Sequence, residues 1–392
     1  MSNYPEARIH PERKRSLLAG HPWIFSGALT EKPKVADGDL VSLVSGTEKL
    51  GTGYYNSRTD IAVRMLSRRD EVVDKDFFLR KFSRLKAERE TWLPANTNAY
   101  RAVFAEADGC PGLIVDHYAG VLVAQFHTAG MNNLKDIIID ALQETFAPRA
   151  IVERSDLAVR RHEGLQDQPV GVLRGNLDGE VEMLENGCRF LVDVLHGQKT
   201  GFFLDQRENR LALRRWSAGR SVLNVFCYSG GFSVYAASAA KRVVSLDASA
   251  SAMELCRRNM QLNGFNPPNE DFLTLDAFDL LTGLKGGEFD CIVLDPPSFA
   301  KNRTQVKGAI KAYTTINTKA LQVLPDGGIL ATASCTSHID SLTFLKILHQ
   351  SAVNARCTLK VLEIKEQPFD HPYNLTFPEG RYLKFVVVQK VL

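Results

Sequence analysis

The sequence predicts an α/β protein whose C-terminal half is a doubly wound parallel sheet, and three observations point there. From about His196 onward, short apolar strands alternate with helix-length segments. The first of these strands runs straight into a turn carrying paired glycines, and the next three lead into aspartates. Ahead of this half lie two stretches with a different rhythm, so several domains are expected in a chain of 392 residues.

Residues 1–72 alternate the strands Leu40–Val44, Gly51–Tyr55 and Ile61–Met65 with turn signals at Asp37-Gly38, Ser45-Gly46 and Asn56-Ser57. That pattern predicts a small β-barrel. A charged helix follows from Asp76 to about Trp92, with Phe77, Phe78, Leu79, Phe82, Leu85 and Trp92 near helical spacing, and Pro94 stops it. Residues 73–194 then read as a central α+β domain. Leu113–Asp116 and Val121–Phe126 form a hairpin and Leu134–Phe146 a helix, while Ala150–Arg154, Val170–Leu173 and Arg189–Val194 are further strands. Residues 195–392 hold the parallel strands Val222–Phe226, Val243–Asp247, Phe272–Leu275, Cys291–Asp295 and Ile329–Ala333. Leu359–Lys365 and Tyr382–Lys390 are expected to add an antiparallel edge.

Composition narrows the class. Hydrophobic residues make up 44% and charged residues 24%, as in soluble globular proteins. No stretch approaches the ~20 apolar residues of a membrane span. The first ten residues hold no apolar run, so a cytoplasmic location without membrane attachment is expected. The seven cysteines are scattered and never form C-x-x-C, which argues against a disulfide framework and against a structural metal site. Net charge is only +3, but residues 1–100 carry 17 Lys+Arg against 13 Asp+Glu, with clusters at Arg13-Lys14-Arg15 and at Arg64, Arg68 and Arg69. Such clusters neutralise phosphates or simply face solvent, so charge alone decides nothing.

The glycine turn is Cys227-Tyr228-Ser229-Gly230-Gly231-Phe232-Ser233, directly after Phe226. Glycines at a strand-to-helix turn let backbone approach a ligand at the carboxyl edge of the sheet. One glycine pair is also what a tight turn without a ligand needs. The next strand ends in Asp247-Ala248, where a carboxylate can accept from ribose hydroxyls. The third leads into Asp276-Ala277, suited to the amine of adenine, and the fourth ends in Asp295-Pro296-Pro297-Ser298-Phe299. Each aspartate alone is a plausible helix cap. Four such features in consecutive βα units point to a cofactor pocket. A nicotinamide dinucleotide would ask for a stricter G-x-G-x-x-G and has no use for Asp-Pro-Pro.

At Asn224–Ser233, Asp295–Phe299 and Ser334-Cys335 the chain resembles the class I S-adenosylmethionine-dependent methyltransferases. Over nearly its whole length it resembles the RlmI-like family of 23S rRNA cytosine-5 methyltransferases. The likeness includes His21-Pro22-Trp23-Ile24-Phe25-Ser26-Gly27, Glu106-Ala107-Asp108-Gly109 and Arg154-Ser155-Asp156. It continues through His196-Gly197-Gln198-Lys199-Thr200-Gly201 and Leu204-Asp205-Gln206-Arg207 to His371-Pro372 and Pro378-Glu379-Gly380. The resemblance implies a PUA domain at 1–72 and a Rossmann-like methyltransferase domain at 195–392. It also implies S-adenosyl-L-methionine as cofactor, large-subunit ribosomal RNA as partner and a tendency to homodimers. Gln206 and Arg207 join the cofactor candidates by resemblance. His21, Trp23, Arg64, Arg68, Arg69 and His371 are the RNA-binding candidates.

Cytosine C5 is a poor nucleophile until a thiolate adds at C6 and breaks the ring's aromaticity. Cys335, just past the fifth parallel strand, is the candidate nucleophile, and Asp295 is expected beside it, holding N3 or the amino group of the base. A small buried hydrophobe is the usual alternative for a cysteine. Cys291 reads as core, and Cys227 as lining of the cofactor turn. Pro297-Ser298 stands where many such enzymes carry a second cysteine, so the residue that removes the C5 proton is unassigned. Asp205 and Glu208 match the spacing of a helix capping box. Two other readings remain open: methylation of another base such as guanine, which needs no thiol, and a non-catalytic RNA-binding assembly factor.

Overall fold

A computed structural model describes residues 2–156, 158–300 and 302–392. The chain divides into two units, one of residues 1–183, 192–204 and 369–380, the other of 184–191, 205–368 and 381–392. Among the described residues no helix is long and apolar enough to cross a membrane.

The first unit holds two five-stranded sheets. One runs in the order Glu6–Arg8, Leu40–Ser45, Glu48–Tyr55, Ile61–Ser67, Trp23–Phe25. Register shifts at Leu43/Val44, Thr52/Gly53 and Ile24/Phe25 bend its strands. Its inward residues, among them Ala7, Ile24, Val41, Leu43, Val63 and Met65, form one core. The other sheet runs Gly171–Gly175, Ala150–Glu153, Val121–Phe126, Leu113–Tyr118, Ala99–Phe104. The helices Lys75–Trp92 and Lys135–Phe146 contribute Phe78, Phe82, Leu85, Ile138 and Leu142 to its core. Asp74 caps the first of them by accepting from the Phe77 N–H at 2.9 Å. The segment 192–204 is tied in through Asp116. Its carboxylate takes a two-pronged ion pair from Arg101, 2.8 Å on each oxygen, and accepts from the Thr200 hydroxyl at 2.6 Å.

The second unit is a seven-stranded sheet: β1 (Ser221–Val225), β2 (Arg242–Asp247), β3 (Phe272–Thr274), β4 (Cys291–Leu294), β5 (Ile329–Ser334), β6 (Thr358–Lys365) and β7 (Lys384–Val391). The strand order is β3-β2-β1-β4-β5-β7-β6, with β1 to β5 parallel and β7 antiparallel to both neighbours. The helices are α1 (Arg207–Ser217), α2 (Gly231–Ala237), α3 (Ala250–Leu262), α4 (Ala277–Gly283), α5 (Val306–Val323) and α6 (Ser341–Asn354). Central parallel strands bury both faces, which is why β4 and most of β1 and β5 read as unbroken apolar runs. Alternate residues feed two cores. Leu223, Val225, Ile292, Leu294 and Leu330 face α4, α5 and α6, while Val222, Cys291, Val293, Ile329 and Ala331 face α1 and α2. Strand order reverses between β1 and β4. That switch point leaves a crevice at the carboxyl ends of these two strands.

Candidate active site

The crevice begins with a strained turn. Directly after β1, Phe226 and Tyr228 take φ values of 62° and 47°, and Gly230 takes 82°. For the two non-glycine residues this costs of order 1–3 kcal/mol each, the kind of strain that collects at ligand sites. Surrounding bonds hold it in place. The Cys227 N–H donates to Leu246 O at 2.9 Å, and the Asn259 amide donates to Ser229 O at 2.9 Å. Below the turn, Asn224 donates to Ser233 Oγ at 2.9 Å, and Ser233 shares a 2.7 Å bond with Ser245. Gly230 must be glycine twice over, because a Cβ there would lie 2.5 Å from Cys256 Sγ. Cys227 is buried with its sulfur 3.4 Å from Met253 Sδ, and burial pushes its thiol well up. It fits a packing role and not a reactive one.

The acids sit where the strands end. Asp247 accepts from the Tyr228 N–H at 2.9 Å and from the Ser249 N–H at 3.0 Å, so it braces the turn beside the exposed Ala248. Asp276 is exposed and caps α4, its Oδ1 accepting from Phe278 and Asp279 N–H groups, while Ala277 is buried. Asp295 is half-buried next to the buried Pro296. Gln206 donates to its Oδ1 at 2.8 Å, and the Gln206 oxygen accepts from Asn209 at 2.6 Å. Burial, with the charge of Asp205 adding to it, pushes the Asp295 carboxyl up to about 7. Arg207 is fully buried on α1 and bonds Glu208 at 3.4 Å.

Asp205 does not form the capping box its spacing suggested. The cap position of α1 is Gln206, which makes no side-chain cap bond. The Asp205 Oδ2 instead accepts from the Tyr382 hydroxyl at 2.7 Å. Its other oxygen is buried with no partner among the described residues, as is the Ser229 hydroxyl. Two unsatisfied buried polar atoms, one of them in the strained turn, are what a crevice built for a polar nucleoside ligand shows.

Cys335 and Asp295 leave neighbouring strands at the same edge of the sheet. In the β4–β5 ladder Leu294 pairs with Thr332, so Asp295 and Cys335 both leave at the carboxyl edge of neighbouring strands. The two exits are tied by Ser298, whose hydroxyl lies 3.1 Å from Thr336 Oγ1, and by Tyr313, 2.9 Å from that same atom. Phe299 packs edge-on against the Tyr313 ring at 4.7 Å. Cys335 is half-buried, whereas Cys291 is fully buried in β4. Lys384, buried at the start of β7, pairs with Ser334, the residue before Cys335. Sequence reasoning missed Tyr313, Tyr382 and Lys384. For Lys384 a signal existed: a charged residue on a strand flanked by Leu383 and Phe385–Val388.

In the first unit the RNA-binding candidates separate. Arg68 and Arg69 are exposed, and His21, Trp23, Phe25 and Phe377 form an aromatic cluster in which Phe25 stays 49% exposed. Arg64 is buried and donates to Glu163 Oε1 at 2.7 Å. His371 is buried, 3.1 Å from Asp370 Oδ1 and packed on Phe104. The expectation of RNA contact at Arg64 and His371 therefore meets two inward side chains already committed to internal partners.

Two family descriptions match the chain: a PUA-like domain over residues 7–68 and an S-adenosylmethionine-dependent methyltransferase over residues 108–376. Among curated proteins it is similar to "Ribosomal RNA large subunit methyltransferase I" of Aeromonas hydrophila subsp. hydrophila, 41% identical over 96% of this chain and 97% of that relative. The protein of the same name from Shewanella denitrificans is 40% identical over 97% and 98% of the two chains. Among solved structures, a SAM-dependent methyltransferase from Streptococcus mutans superposes with a TM-score of 0.83 at 23% identity, covering 99% of this chain and all of that one. That likeness carries the fold alone.

Proposed function

The chain belongs to the S-adenosylmethionine-dependent methyltransferases, and from that premise we propose that it forms 5-methylcytosine in large-subunit ribosomal RNA through a covalent Cys335 adduct. The observation that supports the proposal is that Asp295 and Cys335 follow the carboxyl ends of the neighbouring strands β4 and β5. A base methylated at a ring nitrogen would need no thiol there. The RNA class follows from the name shared by relatives alike over almost the full chain.

When bound, S-adenosylmethionine supplies a methyl group made electrophilic by its positively charged sulfur. The residues that would hold it are those of the turn Phe226–Gly230, with Asp247-Ala248, Asp276-Ala277 and Asp295-Pro296 along the crevice. The unsatisfied Ser229 hydroxyl and Asp205 oxygen suit its polar groups. Asp295, held near half-protonation at neutral pH, can donate a proton to cytosine N3 or accept from the amino group. Gln206 and Asn209 fix its orientation. The target base must leave any stack to reach Cys335, which favours an unpaired nucleotide. Arg68 and Arg69 supply exposed charge for the RNA, and Phe25, at the edge of the half-buried His21–Trp23 cluster, supplies an exposed ring. The division at 1–72, 73–194 and 195–392 and homodimer formation complete the reading, the latter by resemblance alone.

The test is Cys335→Ala. It should retain RNA and S-adenosylmethionine binding yet leave no 5-methylcytosine on bisulfite sequencing of the rRNA. Turnover that survives the substitution would sink the cytosine-5 mechanism.

A further inference from the structure

Lysine is almost never fully buried without a partner, since taking an ammonium out of water is costly. Lys384 is 3% exposed, and its two hydrogen bonds go to neutral carbonyls. Its Nζ donates to Thr336 O at 2.7 Å and to Tyr382 O at 2.6 Å. In the antiparallel β5–β7 ladder Lys384 pairs with Ser334, so the amine is anchored at the backbone on the far side of Cys335. Two of its three tetrahedral positions are spent on these carbonyls. The third is an N–H when the group is charged and a lone pair when it is neutral.

We propose that Lys384 is the base that takes the Cys335 thiol proton and then holds the thiolate by its charge. This rests on the reading of Cys335 as nucleophile. In the step, the S–H bond breaks and its electron pair stays on sulfur. The proton forms a new N–H bond on the neutral Lys384 amine, giving a thiolate and an ammonium with no change in total charge. The ammonium keeps both carbonyl bonds, so nothing around it must rearrange. When the thiolate leaves the base at the end of turnover, the same pair is ready to share a proton again.

The surroundings suit this exchange. Burial brings Lys384 down to about 8, close to an ordinary thiol, and a Cys335 thiolate is the charge that most favours its protonated form. The other charges that act on Lys384 are Asp340 and Glu366, which favour the ammonium, and Arg381, which opposes it. Arg381 is itself ion-paired with Glu366. Tyr313, bonded to Thr336 Oγ1, feels the charges of both Cys335 and Asp295, and burial holds its phenol up at about 12, so it stays neutral. A lysine already donating to two carbonyls at this sheet edge therefore activates the Cys335 thiol.

The experiment is alkylation of the full chain by iodoacetamide across pH 6–10, without RNA or S-adenosylmethionine, followed on the Cys335 peptide by mass spectrometry. The wild-type thiol should react with a midpoint at least about one pH unit below an ordinary cysteine's ~8.5. In Lys384→Met the midpoint should rise by about 1–3 units, and the rate at pH 7 should fall at least about 10-fold. An ordinary midpoint in the wild type, or an unchanged one in Lys384→Met, overturns the proposal. Lys384→Gln keeps one carbonyl donor should the methionine variant not fold, and the wild-type midpoint needs no variant at all. A raised midpoint together with an active Cys335→Ala enzyme would leave the thiol–amine pair standing and remove the nucleophile reading instead.

Discussion

Replacing Asp295 by asparagine tests the electrostatics of the crevice. The carboxyl sits at about 7 in the fold, against about 3.9 in an unfolded chain. At about 1.4 kcal/mol for each tenfold step, the ionised group costs the folded state at most about 4 kcal/mol. Because Asp295 is half-buried and water screens part of this, about 2 kcal/mol is the working figure. The sign follows from where the proton resides. Below about pH 4 the group is protonated in both states and carries no penalty. As pH rises toward 7 the unfolded chain loses its proton first, so wild-type stability falls through that window and the loss is complete above it. Asparagine never ionises, and its oxygen can still accept from Gln206 as Asp295 does at 2.8 Å.

Asp295→Asn should therefore melt higher than wild type by roughly 4–8 °C at pH 8, taking about 2–4 °C per kcal/mol for a unit of this size. At pH 5.5 the gain should be about half as large. Thermal unfolding followed by circular dichroism at both pH values measures it, and turnover on rRNA should drop by roughly 100-fold or more in the same variant. A variant that is no more stable than wild type at pH 8, or whose gain is the same at both pH values, would refute the account of a destabilised, functionally held carboxyl.

Two further substitutions probe the frame that holds the site. Gly230→Ala forces a side chain into a backbone with φ 82° and sets its Cβ 2.5 Å from Cys256 Sγ. It should cost about 1–3 kcal/mol in urea unfolding and weaken S-adenosylmethionine binding in calorimetry; unchanged binding would mean the turn does not touch the cofactor. Arg210→Ala breaks a buried pair in which Arg210 donates to both oxygens of Glu185, at 2.8 and 2.7 Å. A loss of about 3–5 kcal/mol is expected from the stranded carboxylate, with much of it recovered in Arg210→Met combined with Glu185→Leu.

These perturbations also show where the sequence was legible and where it was not. The parallel strands were readable because β1, β4 and β5 are covered on both faces, which makes them mostly apolar. The positions of Asp247, Asp276 and Asp295 were readable because strand ends and the helix caps after them are fixed places that repeat with the βα unit. Asp205 was misread because Asp-x-x-Glu satisfies a local rule, while its actual partner, Tyr382, lies 177 residues away. Arg64 looked like surface charge among Arg68 and Arg69, and a partner 99 residues downstream, Glu163, turns it inward. In each case the sequence displays one member of a polar pair and conceals the other, since burial is decided by where the chain returns. Lys384 is the sharpest instance. A strand lysine is ordinarily solvated, and only the return of β7 beside β5 places it at Thr336 O. The motif residues thus mark the carboxyl edge of the sheet, whereas the proton affinity of Asp295 is set by burial, Asp205, Arg210 and Gln206. That separation is physically reasonable. A carboxylate or thiol can be presented by a local turn, but its proton affinity answers to every charge and dipole that tertiary structure brings within a few ångströms.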